Sequence, residues 1–152
     1  MSKNGPLDRK ARLSVLAQAP SADLKALWQV YTERNGQLAH EVLRPPEIGT
    51  VMVRGRAGAI GAAFNLGEIT VTRCAVKTST GAVGHGYVQG RDKAASLAAA
   101  CIDALAQGAS RAELDRTITI PLSQDMQRRQ QRRASKAAGT KVEFFTMVRG
   151  DA

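Results

Sequence analysis

The stretch Val83-Gly84-His85-Gly86-Tyr87-Val88-Gln89-Gly90-Arg91-Asp92-Lys93, with the alanine-rich run behind it, restricts the possible folds more than any other part of the chain. Its first half alternates as a strand does, with Val83, His85, Tyr87 and Gln89 on one side. Gly90 breaks the alternation. Asp92 stands where a helix N-cap stands, because its carboxylate accepts the orphan N–H groups of a first turn. From Lys93 to Gln107 the spacing becomes helical, and Ala94, Leu97, Ala98, Cys101 and Leu105 share one face. A helix start flanked by Arg91 and Lys93 is a place where backbone N–H groups meet an anion. The same residues describe an ordinary strand-to-helix joint, and that plain structural reading is favoured.

Two helices are expected before this joint. Leu7 to Ala19 carries Leu13, Leu16 and Ala17 along one face and is stopped by Pro20. Ser21 is the expected cap of a second helix running to about Glu33, with Leu24, Leu27, Trp28 and Tyr31 packed inward and Asn35-Gly36 closing it. Strands follow. Leu38–Leu43 is a short one, ended by Arg44-Pro45-Pro46; Thr50–Arg56 alternates; Ile69–Lys77 places Ile69, Val71, Arg73, Ala75 and Lys77 opposite Thr70, Thr72, Cys74 and Val76. With the Val83 strand this predicts an α+β fold: an antiparallel sheet of about four strands joined by short turns and packed by helices. The glycines Gly55, Gly58 and Gly61 match neither the dinucleotide fingerprint nor a phosphate loop; a sharply turning hairpin is expected there, the alternative being a loop that lets the backbone approach a partner or a phosphate.

After Leu114, Thr117–Leu122 reads as an extended linker and Ser123–Ala138 as a helix. Its run Gln127-Arg128-Arg129-Gln130-Gln131-Arg132-Arg133 leaves only Leu122, Met126 and Ala134 as an apolar stripe. Such a helix presents a basic face to solvent, to a partner chain or to an anion. The tail Lys141–Asp151 is the reverse: it holds two of the three phenylalanines, and Phe144, Phe145, Met147, Val148 and Arg149 are the candidates for docking a partner. One domain spans 1–152: a disordered start at 1–6, a helical pair at 7–35, the sheet and long helix at 37–108, and the basic helix and docking tail at 110–152.

The net charge of +9 suits a polyanion: nucleic acid, a phosphate-rich substrate or an acidic protein face. A basic nucleic-acid-binding module is therefore the alternative function, although no interleaved aromatic platform accompanies the charge. Aromatic residues make up 4% of the chain and much of its apolar content is alanine, so the core is small and suited to completion by a partner. Cys74 and Cys101 read as free buried thiols, and His40 and His85 lack ligand-spaced neighbours, so no metal site is expected. No apolar run approaches a membrane span and the N-terminus lacks a signal core, which predicts a cytoplasmic protein. The glycine and arginine content leaves Arg54, Arg73, Gln89, Gly90, Arg91 and Lys93 as the candidates for contact with an anionic substrate. No catalytic residue is identifiable.

Four segments together resemble the PhnG family of the bacterial carbon–phosphorus lyase system. They are Arg44–Arg56, Phe64–Val76, Gly84–Lys93 and Val142–Asp151; the Gly90-Arg91-Asp92-Lys93 joint and the Phe144-Phe145-Thr146-Met147-Val148-Arg149-Gly150-Asp151 ending are the most specific. The likeness runs from about Arg9 onward, and Ala59-Ile60 departs from the richer glycine run expected there. The resemblance implies a subunit of a two-fold symmetric core with PhnI, PhnH and PhnJ. With PhnI, PhnH and the ATP-binding protein PhnL, such a subunit supports displacement of adenine from MgATP by methylphosphonate, giving α-D-ribose 1-methylphosphonate 5-triphosphate. It implies a transferase whose chemistry centres on PhnI, with MgATP as a substrate of the complex and no cofactor bound by this chain alone. Neither nucleic acid nor a membrane is an expected partner.

Overall fold

The computed structural model describes residues 7–56 and 61–139. Helices α1 (Arg9–Gln18) and α2 (Ser21–Asn35) precede strands β1 (His40–Gly55), β2 (Phe64–Thr78) and β3 (Val83–Gln89). Helix α3 (Lys93–Leu105) follows, then α4 (Arg111–Leu114), a widened turn of π-type at Asp115–Thr119, and α5 (Ile120–Gly139). The sheet is antiparallel in the order β1-β2-β3. Among the described residues it has three strands and not four, because the two strands expected over Leu38–Leu43 and Thr50–Arg56 are one. Pro45 and Pro46 do not end it. β1 lies at the sheet edge, where a proline's missing N–H costs no ladder bond, and the pairing absorbs the prolines as a bulge between Arg44 and Glu47.

α3 is the centre of the molecule. Asp92 caps it as the sequence indicates: its Oδ1 accepts the Ala95 N–H at 2.9 Å. The buried surface is wider than the single face expected. Ala95, Ser96, Ala98, Ala99, Ala100, Cys101, Ile102, Asp103 and Ala104 are all buried. Small side chains let sheet and helices close in on the same helix from several sides. On the sheet side the approach is backbone to backbone. A Cβ on Gly84 would lie 2.0 Å from the Ala100 carbonyl oxygen, and one on Gly86 would lie 1.9 Å from that of Ser96. On the other side Val15, Leu16, Leu24, Tyr31, Leu114, Ile118 and Leu122 complete the core with Val88, Ala99 and Ile102. Trp28 and Tyr31 pack there as expected, with ring centroids 5.7 Å apart.

Other boundaries differ for local reasons. Ser21 is inside α2 and makes no capping bond; Pro20 holds the cap position and its carbonyl accepts the Leu24 N–H. α1 buries Arg12, Val15 and Leu16, whereas Leu13 is only half-buried. The expected linker Thr117–Leu122 is helical. Ile120 donates its N–H to Asp115, five residues back, and the widened turn relieves the crowding that the Pro121 ring imposes on the carbonyl four residues before it.

Two ion pairs tie α1 to this frame. Arg12 and Asp115, both nearly fully buried, meet in a fork: Nε donates to Oδ1 at 3.0 Å and a terminal nitrogen to Oδ2 at 3.2 Å. Thr119 adds a 2.7 Å bond to Oδ1. Arg9 forks onto Asp103 at 3.0 and 2.8 Å, and the same buried carboxylate accepts the His85 N–H at 2.9 Å. Since β3 is an edge strand, Asp103 occupies hydrogen-bonding positions that would otherwise be open to another chain, and Gln107 does likewise at the Val83 carbonyl. Burial pushes the Asp115 carboxyl up, but the bonds from Arg12 and Thr119 and the charges of Arg12 and Arg111 outweigh it and hold it below the usual value.

Gly84→Ala and Gly86→Ala should each cost about 3 kcal/mol or more in urea unfolding, because the clash is with backbone that cannot yield. Gly49→Ala, where an added Cβ meets nothing within 4 Å, should change stability by less than about 0.5 kcal/mol. Asp115→Asn should cost about 3 kcal/mol at neutral pH by leaving Arg12 buried without its counter-charge. Because the folded carboxyl is held below its unfolded value of about 3.9, its contribution is complete above that pH and lost as the pH falls through the folded value. Urea unfolding across pH should accordingly show a shallower acid loss in the variant than in the wild type.

Candidate functional site

The face of the sheet turned away from α3 carries the most distinctive surface of the described residues. Alternation places Arg73, Ala75, His85 and Tyr87 on it, and the register sets Arg73 beside Tyr87 and Ala75 beside His85. The proline bulge adds Arg44 and Glu47. Arg44 pairs with Ala75 and Glu47 with Arg73, so three steps on β1 match two on β2 and an even and an odd residue share one face. Arg44, Arg73, His85 and Tyr87 line a depression of about 330 Å³. Both guanidiniums reach the same Glu47 oxygen at 3.7 Å. These half-exposed contacts are long and contribute little to stability. One carboxylate between two guanidiniums leaves the patch cationic and able to meet an anion.

The same face continues onto a two-stranded ribbon. β3 pairs only with Val71–Lys77, so Phe64–Thr70 and their β1 partners extend past it. Here the apolar side of the sheet changes. In the body, Cys74 and Val76 point toward α3. In the ribbon Val51, Val53 and Ile69 point the other way, and Thr50, Thr70, Glu68 and a single apolar residue, Met52, take the α3 side. A second bulge follows Val53. Phe64 pairs with Gly55, and the Leu66 side chain lies over Gly55, on the side of Val51 and Val53. Phe64 is 47% exposed and Leu66 58%.

The strand-to-helix joint is closed by its own groups. Gly90, at φ +93°, gives its N–H to the Thr70 carbonyl at 2.9 Å, and its carbonyl accepts the Thr72 hydroxyl at 2.7 Å. The Asp92 carboxylate already sits at the α3 N-terminus, paired with Lys25 at 2.7 Å. That pair, with the bonds from the Ala95 and Ala94 N–H groups, holds the Asp92 carboxyl below its usual value. Arg91 and Lys93 are exposed beside it.

Gln89 lies elsewhere, in a recess of about 100 Å³ shared with Gln18, Met126, Arg129, Gln130 and Arg133. Within the basic run of α5, Asp125 pairs with Arg129 at 3.1 Å and with Arg128 at 3.4 Å. Arg54 is on the ribbon, on the side opposite Arg73. Its partner Asn65 is eight residues from Arg73 along β2, or about 26 Å. The six residues singled out by sequence are thus spread over four places. Arg44 and Glu47 were not placed with Arg73 by sequence, because the bulge that brings them there cannot be read from alternation; Tyr87 lies on the side that alternation gives it. The alternation that sets Val51 with Val53, and Ile69 with Arg73, was legible, but not which side of the sheet would be left bare. Phe144, Phe145, Met147, Val148 and Arg149 lie outside the described residues.

The thiols are structural. Cys74 donates to the Ser96 carbonyl at 3.0 Å, and burial raises its pKa. Burial, with Cys74 beside it, pushes Cys101 up to about 12. His40 Nδ1 is 4.0 Å from the Cys101 sulfur and 2.8 Å from the Leu38 carbonyl. A carbonyl only accepts, so Nδ1 carries the proton and cannot serve as base to the thiol. Among the described residues no group of three or more His, Cys, Asp or Glu is placed to hold a metal, and no helix is long and apolar enough to cross a membrane.

Residues 7–150 match the family described as "Phosphonate metabolism protein PhnG". A protein of Rhizobium meliloti (strain 1021) named alpha-D-ribose 1-methylphosphonate 5-triphosphate synthase subunit PhnG is 40% identical over 147 residues, which cover 97% of this chain and 92% of the relative.

The thiol environments are testable directly. Native protein at pH 8 should leave a chromogenic disulfide such as Ellman's reagent unreacted over many minutes, and denaturant should release both thiols at once, since only the thiolate attacks.

Proposed function

The chain belongs to the PhnG family of phosphonate metabolism proteins, and from that membership we propose that it is a subunit of a cytoplasmic α-D-ribose 1-methylphosphonate 5-triphosphate synthase. The observation that carries this reading is near full-length similarity, at 40% identity, to a protein named as such a subunit. In the proposed reaction a phosphonate oxygen replaces the adenine nitrogen at the ribose C1′ of MgATP, and adenine departs. PhnI holds the centre of this chemistry, with PhnH and PhnL taking part; PhnJ joins PhnI, PhnH and this chain in the two-fold core.

The surface of this chain suits a shaping role more than a catalytic one. Its thiols are protonated and inward. Its cations are spread along one sheet face, one helix start and α5, where they favour an acidic partner face and a polyanionic substrate. A nucleic-acid platform would interleave aromatics with such cations. Here the described aromatics Trp28, Tyr31, Phe64 and Tyr87 all lie off α5.

Reconstitution tests the reading. PhnI, PhnH and PhnL should release adenine from MgATP and methylphosphonate only when this chain is added, and the chain should co-purify with PhnI. Removing residues 141–152 should weaken that co-purification, because the apolar tail is proposed to dock. Adenine release at the same rate without this chain, or a full-length chain indifferent to PhnI, would overturn the subunit role.

A further inference from the structure

We infer that the outward face of the ribbon, from Phe64 and Leu66 through Ile69, Val51 and Val53 to Tyr87, is where another subunit of the synthase docks, through an apolar ridge that ends in carboxylates. The inference rests on the subunit reading above. A half-buried antiparallel sheet normally keeps one side apolar along its whole length. This one does not. Its apolar side faces α3 in the body and turns away from α3 in the ribbon. Helix α3 therefore cannot cover the ribbon's apolar side, and none of the described residues forms a second layer over Phe64 and Leu66, about half of whose surfaces meet solvent. A two-stranded ribbon without a third strand or a covering layer is marginal in water. A regular, bulge-adjusted pairing that reaches Gly55 and Phe64 is therefore fitted to a surface outside the fold.

The charge beside the strip selects among occupants. From Phe64 to Arg73 the strip spans ten residues, about 30 Å, which suits a protein face and exceeds a small ligand. At its body end Arg44 and Arg73 share the single carboxylate of Glu47. Toward its tip Arg56 is exposed and has no ion pair among the described residues. The whole chain carries +9. A second copy would bring the same cations to the same strip. A different subunit with carboxylates at the ends of an apolar ridge would neutralise them and set the docking register.

A photo-crosslinking residue tests this in the assembled complex. The full chain carrying Leu66→p-benzoylphenylalanine is co-expressed with its synthase partners and irradiated. A covalent adduct with a different synthase subunit is expected. An adduct with a second copy, an adduct within the chain to residues 140–152, or none at all would overturn the inference. Charge variants separate this from the subunit reading itself. Leu66→Glu should reduce co-purified partner about tenfold while leaving the far-ultraviolet spectrum and melting temperature near wild type. Met52→Glu, on the opposite side of the ribbon, should assemble normally. If wild type assembles and Leu66→Glu assembles equally well, the ribbon is not the docking surface and the subunit reading stands. If wild type itself captures no synthase subunit, both fall.

Discussion

The close approach of α3 to β3 is the contact on which the other layers depend. Two glycines on the strand face a helix of alanines, and the separation is set by backbone atoms. Nothing larger than hydrogen fits at Gly84 or Gly86. That proximity lets Cys74 reach a helix carbonyl and lets Asp103, from inside α3, bond the edge of β3. It also explains how a chain poor in aromatic residues builds a core. The apolar area contributed by each alanine is small, but close packing allows sheet, α1, α2 and the α4–α5 turn to share one central helix.

Two ion pairs, Arg12–Asp115 buried and Arg9–Asp103 buried only at its carboxylate, act at the periphery of that contact. Arg9 and Arg12 sit on successive turns of α1, and each forks onto a carboxylate from a different later element. A buried pair offers little net stability over apolar residues of the same size, but leaving Arg12, or the buried Asp103 carboxylate, without its partner is costly. Their effect is to make the position of α1 specific. The widened turn before Pro121 is part of this arrangement, since it sets Asp115 and Thr119 on one side of the helix, facing Arg12.

The closed parts of the fold contrast with the open ones. The β3 edge is covered by Asp103, Arg9 and Gln107, and the α3 N-terminus is filled by Asp92. The cationic sheet face, the apolar ribbon and the outer half of α5 are left to solvent. Such a division suits a polypeptide that works inside an assembly: surfaces that would attract unwanted strands are sealed, and those that face partners are shaped.

Local signals in the sequence carried the element types far. The Asp92 cap, the alternation of Ile69–Lys77 and the Gly36 stop were legible because each depends on residues within one or two turns. So was the family, through the Arg44–Arg56, Phe64–Val76 and Gly84–Lys93 segments taken together. Tertiary structure decided what depends on distant partners. Pro45-Pro46 read locally as a strand end, yet the edge position of β1 made them a bulge. Pro121 read as a linker, yet the Asp115–Arg12 pair and a widened turn kept the helix running. The placement of the site was decided at the same level. A bulge brought Arg44 and Glu47 to Arg73 and Tyr87, while Gln89, at the end of β3, borders α5 instead; Arg54 lies on the other side of the ribbon, because alternation assigns a residue to a side of its strand but only the position of α3 determines which side is left open.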